Sequence, residues 1–135
     1  ATAQNILTRL GPAGAQYYEG VQHKLDFAFP ILLAITLIYW MIAAARRWQG
    51  HGLPLSSAVL AAMLAVTILA NAADLGENAA VSAMLAAGPK ALTLTMVQTA
   101  STFGLAKTFF STIAYLSLIV LALGPWVARL FGRDQ

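Results

Sequence analysis

The sequence contains no cysteine, which removes disulfides, thiolate metal sites and a cysteine nucleophile at once. Charge is nearly as scarce. Only 10% of the 135 residues are Asp, Glu, Lys or Arg, whereas a soluble domain carries about 25% to cover its surface. A soluble globular enzyme is thereby excluded. Disorder is excluded too, because disordered chains are poor in apolar residues, and here 59% are apolar with a mean hydropathy of +0.72. The eight basic residues outnumber the five acidic ones, but they lie scattered between apolar runs without interleaved aromatics. Nucleic acid is therefore not an expected partner. The sequence also lacks a Gly-rich phosphate loop, a His-x-x-x-His pair and a Ser–His–Asp set.

What the chain does have is long uncharged runs. Residues 27–45 lie between Asp26 and the Arg46–Arg47 pair. As a helix they cover about 28 Å, close to the bilayer hydrocarbon thickness of about 30 Å. Pro30 is expected in the first turn of this span, where its missing N–H does no harm. Residues 46–55, with Gly50, Gly52 and Pro54, read as a loop, after which Ser56 or Ser57 can cap the next helix. The second span covers about 55–77, and its helix continues to Ala87, where Gly88–Pro89 stops it. The third covers 107–129, with Gly124–Pro125 near its end and Trp126 at the interface. Residues 91–106, rich in Thr, Ser and Gln, read as the protruding start of this third helix, a fourth crossing being the alternative.

Tyr17, Tyr18, Val21 and Leu25 recur at helical spacing and predict a short N-terminal interfacial helix. No apolar core of a signal peptide lies in the first 24 residues, so no cleavable leader is expected. The fold class is thus all-α: one integral-membrane helical bundle over residues 1–135.

The second helix carries two contrasting stripes. At about 100° per residue, Thr67, Asn71, Asp74 and Asn78 fall on one face, with Glu77 at its margin. The opposite face holds Ala65, Leu69, Ala72, Gly76, Ala80 and Ala83, small residues that admit a close helix neighbour. Asp74 and Glu77 lie at the same end as Asp26, Lys24 and Lys107, so charges from three helices are expected to meet at one depth. Ionisable groups near hydrocarbon are costly and need partners. The expected pairs are Lys107 with Asp74 or Glu77, and Asp26 with Lys24 or a helix N-terminus. The competing reading is a polar pocket for a lipid headgroup, a small cation or a proton.

The remaining polar residues carry weaker signals. His23 and His51 flank the spans on opposite sides and read as interfacial histidines; neither sits where a tetrapyrrole ligand would, and no cofactor or metal is expected. Tyr39 and Trp40 lie well inside the first span and are expected to pack against a neighbouring helix. Ser111, Thr112 and Ser117 are expected to bond their own backbone. One end of the bundle holds Arg46, Arg47, Arg129 and Arg133 with Asp134, and the other mixes lysines with most of the acids. The basic residues tie between the two sides, and the arginine end with the C-terminus is expected in the cytoplasm.

Three patches in order carry a resemblance: Leu25-Asp26-x-x-Phe29-Pro30, Ala73-Asp74-x-x-Glu77-Asn78 and Thr102-x-x-x-x-Lys107. With the preceding Gly11…Tyr17-Tyr18 stretch, they resemble a group of small uncharacterised bacterial integral membrane proteins. Such proteins carry an Asp-x-x-Phe-Pro helix and an Asp-x-x-Glu-Asn helix. The resemblance covers most of the chain and implies Asp26, Asp74, Glu77, Asn78 and Lys107 as the residues of interest. It brings no activity with it.

Two roles are consistent with these readings. A helix asked to meet protein on two faces, without a complete catalytic set, fits an accessory or structural subunit of a larger bacterial inner-membrane complex. Its partners would be the lipid bilayer and other membrane-protein subunits. The alternative is a transporter or intramembrane enzyme that handles a small molecule, lipid or proton at Asp74 and Glu77.

Overall fold

A computed structural model describes residues 2–131 of the chain. Arg133 and Asp134, assigned above to the arginine end, lie outside the described residues. The described chain is all-α: α1 (Ala3–Tyr17), a π-turn (Tyr18–Gln22), α2 (His23–Gly50), α3 (Ser57–Ala91) and α4 (Leu94–Phe131). Three helices are long and apolar enough to cross a membrane, and they form an antiparallel bundle. At 1.5 Å per residue α4 is about 57 Å long, so it extends well past the hydrocarbon. Residues 94–106 continue helically into α4 and make no separate fourth span.

The N-terminal helix is longer than the short element predicted. α1 is broken at Gly11, whose φ of +66° ends one helical piece before Pro12 opens the next. From there the chain runs through the π-turn directly into α2. The aromatic spacing at Tyr17–Leu25 detected helix correctly but not its continuity with the first span. The continuity also relocates Pro30, which lies in the interior of a helix and not in its first turn. α2 keeps its helical geometry through Arg46–Gly50, so the loop is confined to residues 51–56. Ser56 caps α3 as expected, its hydroxyl accepting from the Val59 N–H at 3.2 Å. Gly88, at φ +70°, interrupts α3 just where Gly88–Pro89 was expected to stop it.

The buried centre is small, as suits a chain whose solvent is lipid. Met41, Ala114 and Leu121 are fully enclosed, with Trp48 and Leu118 packed around them. In lipid, apolar surface alone gives helices little reason to associate, so close packing and interhelical hydrogen bonds must hold them. Small residues provide the close packing between α3 and α4. A side chain added at Gly76 would meet the Phe103 ring, and one at Gly104 would meet the Glu77 carboxylate.

The outer faces bear on two expectations. Tyr39 and Trp40, expected to pack against a neighbouring helix, are exposed and stack edge-to-face on each other at 5.6 Å. Of the small stripe on α3, Ala65, Ala72 and Ala83 are exposed, while Gly76 and Ala80 are half-buried.

Candidate functional site

The polar stripe of α3 turns inward. Thr67, Asn71 and Asp74 are the buried polar residues among those described. Two of them serve the helix itself. Thr67 donates to the Met63 carbonyl at 3.0 Å and lies 3.3 Å from the Met41 sulfur, and Asn71 donates to the Thr67 carbonyl at 2.7 Å. Asn71, on the predicted polar stripe, thus bonds its own helix one turn before Asp74.

One turn further on, the cluster assembles. Lys107 on α4 reaches Asp74 at 2.7 Å and Glu77 at 3.1 Å, pairing with both carboxylates and not one. The i, i+3 spacing on α3 brings the two acids to one face, and Gly104 leaves room for Glu77 one turn before the lysine. Asp74 is nearly enclosed, whereas Lys107 and Glu77 are partly open.

Asp26 arrives from α2 with different partners from those expected. Its carboxylate accepts from the Tyr18 hydroxyl at 3.0 Å and the Gln22 amide at 2.7 Å. Lys24 is exposed and takes no part. Both donors come from the π-turn, which widens the helix one turn before Asp26. Single π-turns inside helices concentrate at functional sites. Gln22 stands at the ordinary i, i+4 helical offset from Asp26, a signal the sequence did carry, whereas Tyr18, eight residues before it, lies outside the usual i, i+3 and i, i+4 pairs.

Asn78 completes the link between α2 and α3. Pro30 has no N–H, so the carbonyl four residues earlier, on Asp26, loses its helical partner. The Asn78 side chain donates to that carbonyl at 2.6 Å. The two segments singled out in the sequence, Asp-x-x-Phe-Pro and Asp-x-x-Glu-Asn, thus interlock: the proline opens an acceptor and the asparagine fills it.

These groups line a cavity of about 390 Å³, with Tyr18, Asp26, Asp74, Glu77 and Lys107 around its polar part and Phe29 and Leu33 on an apolar wall. Three carboxylates face one ammonium. Ser111 and Tyr115 of α4 also border it, a role unforeseen for Ser111; Thr112 bonds its own backbone at Thr108, as expected. His23 stands nearby without lining the cavity, its Nδ1 2.8 Å from the Ser82 hydroxyl. Among the described residues no group of His, Asp and Glu is arranged to hold a metal ion.

These features define a polytopic α-helical membrane protein with a mixed-charge cavity at one end of its bundle. No family model, curated protein or solved structure matches the chain.

Proposed function

We propose that the protein is a small-molecule or lipid-handling membrane protein whose cavity receives a cationic group beside Asp26. One observation carries this reading: three carboxylates surround the cavity, Lys107 pairs with Asp74 and Glu77, and among the described residues Asp26 has neutral donors alone. A carboxylate at the edge of hydrocarbon is costly without a counter-charge. An ammonium seated against Asp26 would supply it, with the attached apolar portion along Phe29 and Leu33. No complete catalytic set accompanies the cavity, so the role favoured is binding or transfer and not a chemical step.

Thermal unfolding in detergent with ethanolamine, choline or a short-chain phosphatidylethanolamine tests this directly. At least one amine should raise the melting temperature, and Asp26→Asn should abolish that rise while unfolding near the parent temperature. No rise with any amine, or an unchanged rise in Asp26→Asn, would overturn the reading.

A second reading, an accessory subunit of a bacterial inner-membrane complex, is favoured by the exposed small stripe at Ala65, Ala72 and Ala83. Purification of the tagged protein from native membranes in gentle detergent separates the two roles. A stable monomer alone would count against the subunit. In either role we assign the arginine end to the cytoplasmic face.

A further inference from the structure

At the other end of the bundle, the loop after α2 and the last turns of α4 enclose an open groove of about 760 Å³. Arg129 and His51 form its polar side, with Arg129 Nη2 3.3 Å from His51 Nε2 and 3.5 Å from Nδ1. Trp126, Leu53 and Leu130 are among its apolar walls. Among the described residues this end holds Arg46, Arg47 and Arg129 and no carboxylate, since Glu19, Asp26, Asp74 and Glu77 all belong to the opposite end.

A second groove, of about 460 Å³, adjoins the first and shares Leu53 and Ala128 with it. Its walls are almost wholly apolar: Trp48, Ile119, Val120, Leu123 and Val127. It follows α4 from the arginine end towards the middle of the third span. Trp48 fills the notch at Gly124, and its indole N–H donates to the Pro54 carbonyl at 3.3 Å.

We infer that the two grooves form one site for an anionic phospholipid, with the phosphate at Arg129 and His51 and an acyl chain along Ile119 and Leu123. The polar groove alone would suit any phosphate. The apolar groove continuing from it towards the bilayer centre selects a lipid. The anionic headgroup follows from the charge of this end, because each arginine near an anionic lipid surface contributes about 1 kcal/mol, or about fivefold in affinity. Trp126 at the mouth is suited to the headgroup boundary, where its ring is part apolar and its N–H can meet water or phosphate.

The two groove tryptophans report occupancy once the distant Trp40 is removed. The Trp40→Phe chain is placed in phosphatidylcholine nanodiscs containing a small, equal fraction of brominated-chain phosphatidylglycerol or brominated-chain phosphatidylcholine. The glycerol lipid should be favoured in quenching by about fivefold, the increment of one arginine. Arg129→Gln should bring that preference close to unity, while Arg46→Gln, outside the groove, should retain most of it. Inorganic phosphate in excess should leave the quenching of the Arg129-containing chain unchanged. Equal quenching by both lipids, a preference that survives Arg129→Gln, or displacement by inorganic phosphate would each overturn the assignment. The first and last of these are read on the chain with Arg129 intact, so they do not depend on the variant folding.

Discussion

Asn78 is worth most where Pro30 is present. Removing its side chain leaves the Asp26 carbonyl without either its helical or its interhelical donor. An unsatisfied buried acceptor costs about 1–3 kcal/mol, so Asn78→Ala should lower stability by that order. Pro30→Ala in the same background restores an N–H four residues after the carbonyl and should recover part of the loss. The four proteins of this cycle, unfolded in detergent, should give a coupling of about 1 kcal/mol or more. Additive effects would show that the carbonyl is satisfied in another way. The motif residues were legible in the sequence as polar positions near a span edge, but their linkage was not. A proline placed in the first turn of a helix orphans nothing; only the continuous helix through Tyr18–Gln22 makes its missing N–H matter.

Among elements, the glycines are not equivalent: Gly104 sits in the α3–α4 contact beside the cavity, Gly124 in the α2–α4 contact, and Gly20 in the π-turn. At Gly124 a methyl group would collide with the Trp48 ring, which is held by its own hydrogen bond and by the core. Gly124→Ala should therefore cost about 1–3 kcal/mol, as overpacking does. At Gly104 the added carbon would stand 2.8 Å from Glu77 Oε1, the end of a partly open side chain that can swing away. Gly104→Ala should cost less, about 1 kcal/mol, by loosening the Glu77–Lys107 pair. Prior replacement of Glu77 by Ala should remove that cost. Gly20→Ala, with nothing within 4 Å, should be neutral or slightly stabilising. Chemical unfolding of the set in one detergent checks the order; a Gly104→Ala cost undiminished without Glu77 would contradict it.

For the molecule as a whole, a three-span topology puts one crossing, α3, between the residue 51–56 loop and the α3–α4 turn, which then lie on opposite faces. The chain has no cysteine, so single introduced thiols report cleanly. Cysteine at Gln49 should react with an impermeant maleimide from one face of an inverted or right-side-out vesicle, and cysteine at Thr93 from the other. Thr2, at the N-terminal end, should label with Thr93. Labelling of Gln49 and Thr93 from the same face would remove the three-span topology. The same arrangement sorts the charges, with arginines at one end and the lysine–carboxylate cavity at the other.

The class of the protein follows from composition alone, because 10% charge cannot clothe a soluble domain and uncharged runs of bilayer length admit few other structures. The span positions, the Ser56 cap, the Gly88 break and the meeting of Asp26, Asp74, Glu77 and Lys107 near one end follow from local rules of length, capping and depth. Tertiary structure decided the rest. Partners at a shared depth depend on helix rotation and on which neighbour arrives, so Asp26 took Tyr18 and Gln22 in place of Lys24, and Lys107 took both acids. A π-turn shifts every later side chain by a fraction of a turn that no periodicity records, and a proline's effect depends on where its helix began.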